Sequence, residues 1–399
     1  MNMNDTYYPL PDSQGGWRTL FGHDEVRKVT GIDTNKLDDA FEYIKKSTKN
    51  GGLLVLKDGW LVYEKYFGKG QREAAVNLAS CGKSITSIAM GIFISENPGL
   101  FPQGLEQKVF TPTYFPREMF PLSDPKKAEI KLGQLLAFTA GIRGNNPVYI
   151  NGRESSIDPL GTDGWPACLD MVAFGKENYV QNDVVHTTET LWCEPGAGYS
   201  YATSSIHLAS VIIRHISGIE LQDYLEPRLA KPMGWGRWGY AYRHSRLIHN
   251  PGGGGIICRP TDMLRFGYLL LQKGKWGNKE LVPREYIEHC SKGSFYNPHF
   301  RYSLQFDINT DSSIPSLPSD VFWKEGSGGH CIYIVPSLNL VVWKLGGRDD
   351  QYAAENTGFP EIPGQDDERD NWEQTVDTSV SFIETLKKVI DGCQSPFFN

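Results

Sequence analysis

The chain has 399 residues, 40% of them apolar and 12% aromatic, enough to bury a large core as one domain or two intimately packed ones. Its 47 acidic and 40 basic residues are dispersed, so no basic footprint for nucleic acid or an anionic membrane is visible. Seven cysteines at wide spacings (Cys81, Cys168, Cys193, Cys258, Cys290, Cys331, Cys393) include no C-x-x-C pair and no Cys/His cluster, which argues against a disulfide framework and a structural zinc site.

Met1 to Leu20 is polar and rich in Pro and Gly, without the cationic start and apolar core of an export signal. No run of about 18 apolar residues is present to span a bilayer. The expectation is a soluble, cytoplasmic protein with no membrane partner; a chain whose signal had been removed would read the same.

The first clear unit is Leu53 to Phe67, where two apolar runs flank Lys57-Asp58-Gly59, and Asp-Gly at that place predicts a tight hairpin. After Ala79 the pattern turns helical. Ile85, Ile88, Ala89, Ile92 and Phe93 recur at steps of three and four, predicting a helix from about Ser80 to Ser95 that Asn97-Pro98-Gly99 ends. Short helical patterns and long loops follow to about Trp238. Among them, helices are predicted at Ser205 to Ser217, closed by Gly218, and at about Leu221 to Leu229. Strand signals return at Tyr302 to Asp307 and at Ile332 to Trp343, the latter bent at Pro336-Ser337, and a helix is expected from about Trp372 to Ile390.

This order permits one α/β (α+β) domain whose antiparallel sheet is built from both ends of the chain, residues 1–100 and 240–399. Residues 101–239 would form a mostly helical subdomain, with the catalytic cleft between the two.

Chemistry concentrates at Ala79-Ser80-Cys81-Gly82-Lys83-Ser84, at the mouth of the first long helix. Positions i and i+3 share a helix face, so the Ser80 hydroxyl and the Lys83 amine can approach. A serine hydroxyl needs a neighbouring base, and a lysine serves as one only when burial or a nearby cation lowers its pKa. A helix start also presents free N–H groups to a developing oxyanion.

Two further elements can join it. Glu194-Pro195-Gly196-Ala197-Gly198-Tyr199-Ser200-Tyr201-Ala202-Thr203 can project the Tyr201 phenol from a tight loop as a proton shuttle. Lys324-Glu325-Gly326-Ser327-Gly328-Gly329-His330, at a strand entry, can bring backbone close to a ligand and offer an N–H to a carbonyl oxygen.

In this order and at these separations the three resemble the β-lactamase-related serine hydrolases: class C β-lactamases, penicillin-binding transpeptidases and D,D-peptidases, family VIII carboxylesterases and 6-aminohexanoate-dimer hydrolases. Ile130-Lys131-Leu132-Gly133-Gln134-Leu135-Leu136-Ala137-Phe138-Thr139-Ala140-Gly141-Ile142 is similar to the family's I-x-I-x-x-L-L-x-H-T-S-G-L segment, and the residues from Gly254 to Leu270 to its G-G-x-x-S-T-A-x-D-L-x-R-F-G segment. The resemblance spans about Gly52 to Gly347 and implies a β-lactamase/transpeptidase-like fold.

It further implies Ser80 as acylated nucleophile, Lys83 as its base, Tyr201 as second acid/base, and the N–H groups of Ser80 and Ser327 as the oxyanion hole. Thr203, Gly326, Gly328, His330 and Trp165 are expected to bind substrate. No cofactor or metal is implied. Thr203 replaces the Asn of true β-lactamases, and the third motif, read at Gly326-Ser327-Gly328, has no counterpart of the family's Lys in register, Lys324 being the candidate if the motif is shifted by a few residues. These departures move the expectation from β-lactam hydrolysis towards small esters or amides. Aromatic residues Tyr149, Trp165, Trp192, Tyr199, Trp235 and Tyr296 are expected to wall the cleft.

Competing readings are poorer. A phosphate-binding loop ending at Gly82-Lys83-Ser84 would need glycine where Asn77 stands, and neither G-x-S-x-G nor H-E-x-x-H occurs. Cys81 has no activating partner in sequence and reads as a small buried residue. A sensor module that acylates slowly or not at all would keep the fold yet lose the chemistry; retention of Ser80, Lys83 and Tyr201 together speaks against it.

Overall fold

The computed structural model describes residues 6–144, 147–155, 190–240, 252–293, 295–364 and 379–393. Six strands make one antiparallel sheet: β1 (Gly51–Lys57), β2 (Trp60–Phe67), β3 (Asp307–Ile308), β4 (Phe322–Gly326), β5 (His330–Val335) and β6 (Leu340–Leu345). Their order across the sheet is β3-β4-β5-β6-β1-β2, so the two ends of the chain meet where Gly52 pairs with Leu345. The Asp-Gly hairpin forms as its sequence predicts. Asp58 and Gly59 have φ of 53° and 76°, the left-handed pair that a two-residue turn with the strands' own twist requires, and Lys57 pairs with Trp60. The Tyr302 to Asp307 strand does not form: Asp307–Ile308 pairs with β4, while Tyr302 makes a single bridge back to Asp307 because Gln305, at φ 71°, turns the run on itself.

The central strands β1, β5 and β6 are nearly continuous apolar runs because both of their faces are covered. Leu54, Ile332, Ile334, Val341 and Trp343 enter one core; Leu53, Val55, Tyr333, Val335 and Val342 enter the other. The second core is closed by helices α1 (Thr34–Ser47) and α5 (Ser379–Cys393), where Phe382, Leu386, Val389 and Ile390 are each buried and each contribute roughly 1.5–3 kcal/mol before entropy is subtracted. The predicted last helix thus exists from Ser379; its expected start at Trp372 lies outside the described residues.

The first core holds α2 (Cys81–Glu96), α3 (Thr203–Ser217) and α4 (Pro260–Leu271). Gly267 of α4 lies so close to β6 that a Cβ there would meet Val341 Cγ1 at 2.5 Å. Gly218 ends α3 at φ 74°, as its place after the last apolar residue suggests. The second predicted helix of this region is α-helical only over Leu221–Leu225 and continues as one π-type turn, Glu226–Ala230.

The α2 helix departs from a simple amphipathic pattern. Every residue from Cys81 to Phe93 is buried, polar ones included. Ser84, Thr86 and Ser87 stay satisfied by donating to the carbonyls of Gln305 (2.7 Å), Gly252 (2.7 Å) and Leu304 (2.9 Å). Each of these bonds ties the helix to a loop that borders the cleft at its N-terminal end.

Candidate active site

Ser80 stands at the N-terminus of α2, and the residue before it, Ala79, is held at φ 46°, a conformation a non-glycine residue rarely adopts. Asn77 accepts from the Ala79 N–H through its side-chain oxygen at 3.0 Å, supporting that turn. One helical turn on, Lys83 is 1% exposed and its Nζ lies 2.8 Å from Ser80 Oγ and 2.6 Å from the Gly253 carbonyl. The i, i+3 approach expected from the sequence is therefore present. The Gly253 carbonyl reaches Lys83 because its loop has no side chain there; a Cβ on Gly253 would lie 2.5 Å from Thr203 Cγ2.

Tyr201 comes from the short connection into α3. Its loop rests on the segment after the Leu132–Leu136 helix: Ser200 N–H donates to Phe138 O (3.0 Å), Gly196 N–H to Thr139 O (2.7 Å), and the Phe138 ring meets Tyr201 edge-on at 4.9 Å. The Ile130 to Ile142 stretch is thus the floor under the tyrosine.

The third element supplies the side chain of Lys324, which the sequence offers only as a shifted candidate for the family's Lys. Lys324 and Gly326 share the face of β4 turned towards α2, since side chains alternate along a strand. Lys324 is 1% exposed; its Nζ donates to Tyr302 Oη at 2.8 Å and Tyr201 Oη at 3.2 Å. Tyr302 in turn donates to Gln305 Oε1 at 3.1 Å. The signal was available in Lys324-Glu325-Gly326, a Lys two residues before the close-approach glycine, but the motif was placed two residues later. Gly326 is that glycine: a Cβ would sit 2.5 Å from Leu78 O and 2.9 Å from Cys81 Sγ, so strand and helix start touch backbone to backbone.

The electrostatics follow from this enclosure. Burial pushes the Tyr201 phenol up, but the Lys324 and Lys83 ammonium groups, with hydrogen bonds to Ser80 and Lys324, outweigh it and hold the group below the usual tyrosine value. Lys324 shows the complement: burial pulls it down, and Tyr201 and Asp307 more than restore it, so it stays cationic. Burial pushes Asp307 up to about 6 despite Lys324 and Arg301.

Ser80, Tyr201, Lys324, Gly326 and Ser327 open onto one cleft of about 360 Å³, whose wall includes Tyr149, Tyr199 and Phe300. Phe300 stacks on Tyr199 at 4.8 Å and meets Tyr149 at 4.5 Å.

Other expected site residues lie elsewhere. Thr203 is buried under Gly253 at the start of α3, and Gly328 (φ 97°) faces Gln351. His330 is fully buried and stacked on Trp343, with its Nδ1 accepting from Gly346 N–H at 3.1 Å. At the start of β5 it lies beneath the turn, beside Gln351, and is not among the residues that line the cleft. Burial, then Lys344 and Arg348, lower its pKa to about 3, so it is neutral. Trp165 lies outside the described residues. Of the other aromatics, Tyr296 lines a separate cavity with Tyr286 and His289, Trp235 packs on Trp238 at 5.5 Å, and Trp192 covers Gly198. Among the described residues no group of His, Cys, Asp and Glu is arranged to hold a metal, and no helix is long and apolar enough to cross a membrane.

Residues 37–357 match the family model described as Beta-lactamase. The chain belongs to this family. Its members are serine hydrolases, and the β-lactamase/transpeptidase-like fold expected from the motifs is the one observed. Among solved structures, a Bacillus anthracis protein described as a 6-aminohexanoate-dimer hydrolase is 19% identical, with a TM-score of 0.61 over 98% of this chain and 90% of that one. A beta-lactamase/D-alanine carboxypeptidase from Yersinia pestis is 16% identical (TM-score 0.56; 89% and 98% covered), and a family VIII carboxylesterase 15% (0.55; 89% and 97%). Comparison with curated proteins finds no match.

Proposed function

We propose that this β-lactamase-family hydrolase cleaves a small ester or amide through an acyl-enzyme on Ser80. The observation that carries the reading is Tyr201, set between two lysine ammonium groups beside a serine already held by one of them. A phenol whose pKa is lowered in this way gives up its proton more readily than an ordinary tyrosine, and its phenolate can accept one from a neighbour. Lys83, whose Nζ donates to Ser80 Oγ and to the Gly253 carbonyl, aims the hydroxyl and relays. From the sequence, Lys83 helped by Tyr201 would take that proton; the two cations around Tyr201 favour its phenol oxygen as the acceptor, with Lys83 aiming the hydroxyl.

In the first step the Ser80 proton passes to Tyr201 as Oγ bonds to the substrate carbonyl carbon. The charge that develops on the carbonyl oxygen is met by the N–H groups of Ser80 and Ser327, a pairing supported by the backbone contact at Gly326. The bond to the leaving alcohol or amine then breaks as Tyr201 returns the proton to it. Water attacks the acyl carbon, giving its proton to Tyr201, and Ser80 recovers that proton as the acid leaves.

The stacked Tyr149, Phe300 and Tyr199 wall suits an apolar or aryl acyl group. A β-lactam or D-peptide substrate is the second reading, and Lys324 in the cleft favours keeping it. The test is a panel of p-nitrophenyl esters, a linear amide, a D-alanyl peptide and a β-lactam, with a fluorophosphonate probe. Wild type is expected to be labelled and to turn over at least one class, and Ser80→Ala to lose labelling and about 10⁴-fold or more in rate. An unlabelled wild type that turns over none of the four would sink the reading in favour of a binding module.

A further inference from the structure

Gln351 lies outside every motif, in the four-residue helix Asp349–Tyr352 that follows β6, and it is 4% exposed. Its side chain is fully used. Oε1 accepts from the Arg348 N–H at 3.0 Å, and Nε2 lies 2.9 Å from the Asn77 carbonyl and 3.0 Å from the Ser327 carbonyl. A carboxamide nitrogen has two hydrogens, and here each has one carbonyl to meet. One of those carbonyls belongs to the turn after β4; the other, three residues before Ser80, belongs to the residue whose side chain props Ala79.

The surroundings leave the amide no freedom. A Cβ on Gly328 would fall 2.1 Å from Oε1, and Gly347 N–H bonds to the Gly328 carbonyl at 2.7 Å, closing the pocket around it. His330 packs against the amide from below, its Nδ1 accepting from the Gly346 N–H at 3.1 Å and its Nε2 lying 3.2 Å from Gln351 Nε2.

We propose that Gln351 is a positioning residue for the oxyanion hole: its amide staples the Ser327 peptide to the strand leading into Ser80, fixing the distance between the two N–H donors. This rests on the assignment of Ser80 and Ser327 as those donors. Gln351 touches no substrate, so its effect travels through the backbone, and it falls on the transition state, where the oxyanion exists, more than on substrate binding. A displacement on the order of 1 Å at such donors costs about 10²-fold in rate.

The experiment compares wild type with Gln351→Glu, which keeps volume and the Oε1 acceptor but sets a second oxygen against two carbonyls, and with Gln351→Met as a neutral alternative. Melting confirms that each is folded. For an ester the wild type cleaves, kcat is expected to fall about 10- to 100-fold with KM within about threefold. A boronic acid, which forms a tetrahedral adduct with a nucleophilic serine, should lose affinity in proportion to kcat/KM. Wild-type kcat in either folded variant overturns the proposal, as does a kcat loss with unchanged boronate affinity. Failure of the underlying assignment looks different: Ser80→Ala would retain turnover, or wild type would not bind the boronate.

Discussion

The two sides of the cleft are held in different ways. Ser80, Lys83, Lys324 and Ser327 belong to α2 and β4 or the turn after it, elements that meet backbone to backbone at Gly326, and both lysines are almost wholly buried. Opposite them, Tyr149, on the three-residue strand Val148–Ile150, and Tyr199, on a loop, exchange two backbone hydrogen bonds of 2.9 Å, and the loop residue Phe300 is held to both by ring contact alone. Groups that move protons need positions fixed to a fraction of an ångström, which interlocked regular elements provide; a substrate wall needs only shape. Tyr201 belongs to the loop side by sequence but to the rigid side by its two lysines.

If that placement is right, Tyr201→Phe is the largest effect to look for on the wall side. The ring contacts with Phe138 persist, so the protein should fold and bind as before, while kcat falls about 10³-fold. Burst kinetics with a p-nitrophenyl ester would read it; wild-type kcat in this variant would return Tyr201 to the passive wall.

Lys324→Ala tests the same pairing from the sheet side. On the proposed mechanism the phenolate is the reactive form, which predicts that kcat/KM rises with pH through the Tyr201 pKa, a value that Lys324 and Lys83 lower. Removing one cation raises that pKa, and the rising limb should move to higher pH with about 10²-fold less activity at neutrality, recovered in part in alkali. A limb that stays where it is would mean that Tyr201 is not the titrating base.

The rigid side was the more legible in sequence. Ser80-x-x-Lys83 needs only helix periodicity to be read, and the Asp58-Gly59 hairpin only local turn chemistry. The complete burial of α2 was not, because Ser84, Thr86 and Ser87 look solvent-facing until the carbonyls of Gly252, Leu304 and Gln305 arrive from distant parts of the chain. For the same reason Tyr302 carries no signal in the sequence, Lys324 reads only as a shifted candidate, and His330 reads as facing the cleft although it is buried beneath the turn. Strand alternation says which side chains share a face, but not which face meets the cleft.

The smallest effect belongs to the wall alone. Phe300→Ala removes the ring between Tyr149 and Tyr199 and leaves every lysine and tyrosine of the proton path in place. If the stack recognises an aryl acyl group, KM for a benzoyl ester should rise about tenfold while kcat holds, and an acetyl ester should notice little, because only the lost apolar contact differs between them. An equal change for both esters would mean that the stack shapes the site itself, and the separation between a rigid chemical side and a replaceable wall would fail at that point.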